Sequence, residues 1–328
     1  MIAHDVARMK SARRLSTPGF AFVEGALDRA DALRDNRDAL HAYWQRARVL
    51  MIDSDGRTVG DDDGGLVAAR GGDLAGAPES AIFLGMRGDE PWFAQRLSAE
   101  SDGELPARRI DLRTAAAQWA PFEATVFAQA RAVLHWQQRH RFCGVCGGAL
   151  AFVRGGWQGL CAQCGLEHYP RTDPAVIVAV TDGERLLLGR QASWPARRYS
   201  TLAGFVEPGE TLEQTVAREV MEESSVRVRS SRYLASQPWP FPSSLMLGFI
   251  AEAEPDPPQA NEELEDAQWF GRDEVAAALR GENTEAGLML SPSVSISRWL
   301  VERWFAGMDT GMDTNACIKL GIDTDSVA

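Results

Sequence analysis

GFVEPGETLEQTVAREVMEESSV, residues 204–226, is the most informative stretch of this chain. Glu219, Glu222 and Glu223 stand at positions i, i+3 and i+4, so they share one face of a helix. Three carboxylates crowded on one face repel one another unless a cation neutralises them. Mg²⁺ takes oxygen ligands and typically binds one or two carboxylates together with substrate phosphates. The stretch therefore indicates a metal-assisted phosphate site, with an ordinary solvated acidic helix face as the alternative.

The helix that carries these carboxylates has clear boundaries in the sequence. Thr211 is the predicted N-cap, and Gln214, three residues later, completes a capping box. Leu212, Val216 and Val220 recur every four residues and predict the buried side of the helix. Before the helix, Glu210 is expected to pair with Arg218, which is a structural role and not a catalytic one.

The cysteines form a second pattern. Cys143-x-x-Cys146 and Cys161-x-x-Cys164 lie close together in the sequence, which is the spacing of a zinc ribbon. Four thiolates fill a tetrahedral shell, so the predicted zinc is structural. Two disulfides or a redox motif are the alternatives. Disulfides fit a cytosolic chain poorly, and a redox motif seldom occurs twice at this distance.

Composition narrows the class of protein. The chain has 328 residues, 45% of them hydrophobic and 24% charged, with a formal net charge of -12. This charge argues against a general nucleic-acid binder, because phosphate contacts need a basic surface. The N-terminus lacks an apolar signal-peptide core, and no stretch is long enough to cross a membrane. We expect a soluble cytoplasmic protein with no membrane partner.

The pattern along the chain predicts several regions. A helix is expected over 122–139, and strands over 47–53, 81–85, 175–181, 185–190, 226–236, 245–253 and 268–270. Further helices are expected near 273–280 and 293–306. The predicted organisation is an N-terminal domain (1–120), a connecting helix (121–140), a zinc ribbon (141–169), an α/β domain (170–306) and a disordered tail (307–328).

Residues 236–244, SQPWPFPSS, form a third informative segment. Prolines alternate with aromatic residues, and proline favours an extended backbone. Residues two apart then point the same way, so Gln237, Trp239 and Phe241 could line one wall. Such a wall could stack on a flat heteroaromatic ring, while Gln and Ser side chains supply hydrogen bonds to it. The alternative is a proline-rich edge loop that packs its aromatic rings into the core.

Taken together, these motifs resemble a known family. The spacing from Gly204 through Glu210, Arg218 and the glutamates to Val226 is similar to the Nudix box, with Ser225 where that family has glycine. The zinc ribbon and SQPWPFPSS are similar to the NADH pyrophosphatase, or NudC-like, Nudix hydrolases. The resemblance implies an α/β fold: a Nudix α/β/α sandwich with a mixed sheet, preceded by a zinc ribbon and a divergent N-terminal α+β domain. It also implies a homodimer.

The resemblance assigns roles to residues at matching positions. Glu219 and Glu223 match the principal metal-binding carboxylates, with Glu222 beside them. Glu263 matches a further carboxylate ligand, and the Ala203 carbonyl matches a backbone ligand. The positions that match nucleotide contacts are Tyr169, Phe205, Gln237, Pro238, Trp239, Pro240, Phe241, Pro242, Ser243, Ser244 and Ser297.

The hypothesis that follows is metal-dependent hydrolysis of NADH or NAD⁺ to nicotinamide mononucleotide and AMP. Mg²⁺ or Mn²⁺ would neutralise charge on the phosphates and activate a water. Glu222 or Glu223 would take the proton of that water. Two alternatives remain open at this stage: removal of the NAD cap from RNA, which uses the same chemistry, and a catalytically weak nucleotide sensor.

Overall fold

The computed structural model describes residues 19–25, 27–61, 63–74, 78–97, 108–282 and 287–307, together with a short strand at 318–319. The N-terminal part contains α1 (Arg37–Trp44), β1 (Arg48–Ile52), β2 (Thr58–Val59), β3 (Ala69–Arg70), β4 (Ile82–Arg87), β5 (Glu90–Arg96), β6 (Arg109–Ile110), α2 (Leu112–Gln118) and α3 (Pro121–Arg139). The zinc ribbon contains β7 (Leu150–Val153), β8 (Gln158–Cys161) and β9 (Glu167–His168).

The C-terminal part follows directly. It contains β10 (Asp173–Thr181), β11 (Arg185–Arg190), β12 (Leu202–Phe205), α4 (Leu212–Ser224), β13 (Val228–Trp239), β14 (Ser244–Ala253), β15 (Asp266–Gly271), α5 (Arg272–Leu279), α6 (Ile296–Phe305) and β16 (Ile318–Lys319). The expected helices and strands are therefore present, with ends that differ by a few residues.

The N-terminal sheet packs against α3. Its strand order is β4-β5-β1-β2-β6, and β3 pairs with β1. The predicted buried side of α3 is confirmed, because Val126, Ala130, Val133 and Trp136 are all buried. They share one core with sheet residues such as Leu50, so α3 belongs to the N-terminal core and also leads into the ribbon.

The C-terminal sheet is mixed and covered on both faces, as the α/β/α prediction requires. Its order is β15-β11-β10-β14-β13-β16, with β12 paired to β10; β10 and β14 run parallel. Successive residues of a strand point to opposite faces. Val176 and Val178 pack with Val216 and Val220 of α4, whereas Ile177 lies on the opposite face in the core with α5 and α6.

The ends of α4 carry the predicted signals. The Thr211 hydroxyl accepts from the Gln214 N–H, the Gln214 side chain accepts from the Thr211 N–H, and this confirms the capping box. At the other end, Ser225 has φ 58° and lies in the left-handed region, where glycine or asparagine is favoured. Its N–H donates to the Met221 carbonyl at 2.8 Å. The one departure from the box motif therefore lies at the helix end.

The proline-rich segment differs from the prediction. Ser236 to Trp239 complete β13, and Ser244 begins β14, so only four residues form a turn between two paired strands. Pro238 is tolerated in β13 because only β14 pairs with the strand at this position. On the other side of β13, β16 pairs at Ser230 and Ser231, away from Pro238. The Phe241–Pro242 peptide bond is cis. Within the tail predicted to be disordered, 307–328, Ile318 and Lys319 form β16 and pair with β13, whereas residues 308–317 and 320–328 lie outside the described part of the chain.

Candidate active site

Arg218 organises the acidic face of α4. Its guanidinium donates to both carboxylate oxygens of Glu210, at 2.6 and 2.9 Å, which confirms the predicted pair. It also donates to Glu219 at 2.9 Å, to Glu222 at 3.0 Å and to the Phe205 carbonyl at 2.9 Å. These bonds hold the pKa of Glu210 down to about 2, with the hydrogen bond from Arg218 as the largest cause. The Arg218 side chain thus holds the segment before the helix, through Glu210 and the Phe205 carbonyl, against α4.

Gly204 gives Glu219 the space that its carboxylate occupies. A Cβ atom at Gly204 would stand 1.8 Å from Cδ of Glu219, which is impossible for any side chain. Gly204 lies on β12, opposite Val176 of β10, so the backbone cannot shift without breaking the sheet. The glycine is required for close approach of strand and helix.

Glu223 is buried and incompletely paired. It is 5% exposed, and its Oε2 atom has no hydrogen-bond partner. Its pKa is raised to about 8, first by burial and then by the charge of Glu219, while a backbone hydrogen bond from Ala203 acts in the opposite direction. A buried carboxylate oxygen without a donor is an atom that a cation can satisfy.

Glu263 reaches this cluster from another part of the sheet. The Asn261 side chain accepts from the N–H groups of Glu263 and Leu264, at 2.9 and 3.2 Å, and Leu264 is buried beneath the turn. Burial is the main cause of the raised pKa of Glu219 and of Glu223, and the charge of Glu263 adds to both shifts. The fold therefore brings together four carboxylates that the sequence separates by up to 44 positions.

This arrangement fits a divalent cation that prefers oxygen ligands. The donor set consists of carboxylates beside the Ala203 backbone, and one buried oxygen lacks any partner. Glu219, Glu223 and Glu263 would hold the ion, together with the Ala203 carbonyl. Glu222 is half exposed and accepts from Arg218, so it stands at the edge of the cluster.

The four ribbon cysteines fit zinc. Their sulfur atoms all lie within 4.8 Å of one another, with Cys143 and Cys164 at 3.8 Å and Cys146 and Cys161 at 3.4 Å. Sulfurs about 2.3 Å from a tetrahedral zinc stand about 3.8 Å apart, whereas a disulfide needs about 2.05 Å. Backbone hydrogen bonds, led by Cys164, lower the pKa of Cys161 to about 6. The prediction of structural zinc over disulfides is thus supported by the donor geometry.

A cavity of about 520 Å³, the aromatic cavity, lies between the C-terminal sheet and the N-terminal region. Of the predicted substrate residues, Gln237, Trp239, Phe241 and Ser297 line it. The Trp239 and Phe241 rings lie 4.9 Å apart, and both also pack on the buried Phe22. Each ring therefore packs on the core and also faces a cavity, so the structure is compatible with both interpretations of SQPWPFPSS.

Gln237 does not offer free hydrogen bonds to a ligand, which corrects that part of the prediction. It is fully buried; its amide N–H groups donate to the carbonyls of Ala21 and Val294 at 3.0 and 2.8 Å, and its oxygen accepts from Ile296 N–H at 2.8 Å. The expected wall of hydrogen-bonding side chains fails here because the backbone of α6 and of the N-terminal segment uses the amide.

The other residues predicted to contact substrate do not all line one cavity. The Ser297 hydroxyl is buried and bonds Ser200 and Thr201, at 2.8 and 3.0 Å. Tyr169 and Phe205 are exposed, at 56% and 59%, and neither lines the aromatic cavity. A second cavity of about 970 Å³ is lined by Pro238, Pro240, Ser243 and Ser244 among others, while Pro242 is exposed and lines neither cavity.

Three residues near the site were not predicted from the sequence. Asn261 could have been found, because an asparagine two residues before Glu263 is typical of an Asx turn. Arg113 and Arg198 also line the aromatic cavity. They come from segments 85 positions apart, so only the fold brings them together.

Three family models match this chain. Residues 171–290 match the NUDIX domain, 138–169 the NADH pyrophosphatase zinc ribbon domain, and 38–136 the NADH pyrophosphatase-like rudimentary NUDIX domain. The NAD-capped RNA hydrolase NudC of Mycobacterium bovis is 40% identical over 297 residues, which cover 85% of this chain and 92% of the relative. The NAD-capped RNA hydrolase NUDT12 of Homo sapiens is 45% identical over 193 residues, 56% of this chain and 42% of the relative.

A solved structure, a NUDIX hydrolase from Nitrosomonas europaea, aligns with a TM-score of 0.42 and 24% identity over 52% of this chain and 93% of that one. Among the helices that the structure describes, none has the length and apolar character needed to cross a membrane.

Proposed function

The chain belongs to the NADH pyrophosphatase (NudC-like) family of Nudix hydrolases, and from this premise we propose that it hydrolyses the pyrophosphate bond of NAD(H). The products would be nicotinamide mononucleotide, oxidised or reduced, and AMP. One observation carries the proposal: Glu219 and Glu223 are buried on one face of α4, and Glu223, which accepts from the Ala203 backbone, keeps a buried oxygen without a partner. A solvated acidic helix face would not bury its carboxylates in this way.

We propose Mg²⁺ or Mn²⁺ as the ion, since both accept a shell of oxygen ligands. When bound, the ion supplies neutralisation of phosphate charge and a lowered pKa for a bound water. The chain's own residues position it: Arg218 fixes Glu219, Gly204 leaves room for that carboxylate, and Asn261 holds the turn that carries Glu263.

The proton of the attacking water needs an acceptor among the glutamates. Glu222 and Glu223 are the two candidates: Oε2 of Glu223 is also the proposed ligand of the ion, whereas Glu222 accepts a hydrogen bond from Arg218 at 3.0 Å. The rings of Trp239 and Phe241 would position a base of the dinucleotide by stacking, and Tyr169 and Phe205 remain candidate contacts from outside the aromatic cavity.

The test is product analysis after incubation of the protein with NADH and Mg²⁺ or Mn²⁺. We expect NMNH and AMP in equal amounts, no turnover in EDTA, and a loss of at least about a hundredfold in kcat for Glu223→Gln. Glu213→Gln is a matched control, because it removes one charge from the first turn of the same helix. Undiminished turnover by Glu223→Gln would contradict the proposed role, and a chain that holds NADH without consuming it would be a sensor.

Removal of the NAD cap from RNA is the second candidate, favoured by the names of the relatives. The same bond is cleaved, and the products would be nicotinamide mononucleotide and RNA with a 5′-monophosphate. Comparing kcat/KM for NAD-capped RNA and for NADH at one salt concentration separates the two substrates. A higher value for NADH would identify the free dinucleotide as the preferred substrate.

We further propose a homodimer in a reducing compartment such as the cytoplasm. The zinc ribbon exposes apolar side chains that a second copy could cover, including Phe142, Val145, Leu166 and Tyr169. Reduced thiols at the zinc site fit a reducing compartment. Sedimentation of the purified chain tests the dimer: a mass of 35.9 kDa at micromolar concentration would contradict it.

A further inference from the structure

The aromatic cavity contains positive charge that its own lining does not neutralise. The guanidinium groups of Arg113 and Arg198 both line it, and no acidic side chain is among the lining residues in the described part of the chain. The chain as a whole carries a formal charge of -12, whereas the lining of this cavity carries two cations and no anion. Charges of one sign in a cleft attract a ligand of the opposite sign.

The backbone at Arg198 is held in place, but the Nε atom of its guanidinium is unpaired. Segments 197–199 and 289 run side by side: Met289 N–H donates to the Arg197 carbonyl at 2.9 Å, and Tyr199 N–H donates to the Met289 carbonyl at 2.9 Å. The Nε atom of Arg198 is buried without a hydrogen-bond partner, and within the described ranges no carboxylate pairs with this side chain. Buried donors are normally satisfied, so this one indicates a missing acceptor.

Arg113 approaches from the other side of the cavity. It lies in the first turn of α2, which Asp111 caps. Its guanidinium carbon stands 4.2 Å from the centre of the Phe241 ring and 5.6 Å from the Trp239 ring. This stacking fixes the cation over the rings while leaving its N–H groups available for an acceptor.

We propose that Arg198, assisted by Arg113, selects dinucleotides that carry an additional anionic group on the nucleoside bound in the aromatic cavity. The inference rests on the proposed function, because it names the substrate class of that site. A flat base can stack against the ring faces that line the cavity, and a guanidinium binds a phosphate or a carboxylate through paired N–H donors. The volume of about 520 Å³ is large enough for one nucleoside with such a group.

Two sources could supply this anion. A 2′-phosphate on ribose, as in NADPH, is one, and a carboxylate on the pyridine ring, as in nicotinic acid adenine dinucleotide, is the other. NADH and NAD⁺ lack both groups and serve as the references without the additional anion. The experiment therefore compares NADPH with NADH, and the acid dinucleotide with NAD⁺.

Calorimetric titration of the zinc-loaded chain without added Mg²⁺ or Mn²⁺ measures binding without turnover. We expect wild type to bind one anionic dinucleotide at least about tenfold more tightly than its reference, since a hydrogen bond to a charged group has about this effect. Arg198→Met should bring this ratio towards one, and Arg198→Lys should retain part of it. Arg229→Met is the matched control: it removes the same charge at an exposed position whose nearest acid, Glu254, is 3.9 Å away.

The outcomes are separable. Equal affinities of wild type for each pair, or a ratio unchanged in Arg198→Met, would overturn the proposal. The ratios of kcat/KM should change in parallel with the ratios of affinity. If wild type hydrolyses none of the four dinucleotides, the proposed function fails, while the binding ratios still decide the role of Arg198. Thermal melting of each variant shows whether it is folded.

Discussion

At the scale of single residues, the site depends on how closely β12 approaches α4, and not only on charge. Gly204 is the clearest example, because the carboxylate of Glu219 occupies the space that any Cβ would need. A side chain at position 204 would displace the Glu219 carboxylate and move this proposed metal ligand away from its neighbours. A displacement of about 1 Å can cost about a hundredfold in rate.

Gly204→Ala should therefore abolish metal-dependent turnover while the protein still folds. We expect kcat for NADH to fall at least about a hundredfold, and the affinity for Mn²⁺, measured by calorimetry, to fall with it. Gly209→Ala is a useful comparison, since nothing lies within 4 Å of a Cβ there, although its φ of 99° adds strain. Full activity of Gly204→Ala would show that Glu219 does not need its present position.

A second residue-scale prediction concerns acid stability. The pKa of Glu210 lies near 2 instead of 4.5, because Arg218 and the Glu207 N–H donate to its carboxylate. A lowered pKa in the folded state stabilises the protein above the unfolded value, and this contribution is lost as the pH falls from about 4.5 towards 2. The difference in unfolding free energy between wild type and Glu210→Gln should be constant from pH 5 to 8.

Below about pH 4.5 that difference should shrink. Urea unfolding at pH 7, 5, 4 and 3 measures it, with Glu213→Gln as the control of equal charge. A difference that grows as the pH falls would contradict the assignment of the ion pair.

At the scale of elements, one buried amide joins three segments. Gln237 on β13 donates to Ala21 and Val294 and accepts from Ile296 at the start of α6. Gln237→Ala would leave these backbone groups without partners and create a cavity. We expect the free energy of unfolding to fall by about 3 kcal/mol, because each unsatisfied buried group costs about 1–3 kcal/mol.

Gln259→Ala is the control for this change, since the Gln259 side chain is exposed, and its effect should stay within about 0.5 kcal/mol. Denaturant unfolding measures both variants. A loss similar to that of the control would show that water replaces the Gln237 amide.

Elements whose signals are local could be predicted from the sequence, and the box helix is the best case. Its capping box, its apolar stripe and the pair of Glu210 with Arg218 all lie within fifteen residues. The assignment of Gln237 to a ligand wall failed because its partners are Ala21 and Val294, 216 and 57 positions away. Arg198 could not be recognised for the same reason: its placement depends on the segment at Met289.

At the scale of the whole molecule, the zinc ribbon joins the N-terminal sheet to the catalytic domain. Trp157 in the ribbon donates to the Phe83 carbonyl at 2.7 Å, and Gln137 on α3 donates to the Gly156 carbonyl at 2.7 Å. Arg154 pairs with Asp31 and Asp35. Residues of the N-terminal part, the ribbon and the C-terminal part all line the larger cavity. A shift of the ribbon would therefore change the packing among all three parts.

Removal of zinc should therefore destabilise more than the ribbon. We expect one zinc per chain by mass spectrometry, and a lower melting temperature for Cys161→Ser, because metal binding to a structural site is coupled to folding. The turnover of NADH should fall as well, through displaced domains and not through lost chemistry, since four thiolates leave no open position on the zinc. Cys317→Ser, at a cysteine outside the described residues, is the control. Retention of zinc and of the wild-type melting temperature by Cys161→Ser would contradict the four-cysteine site.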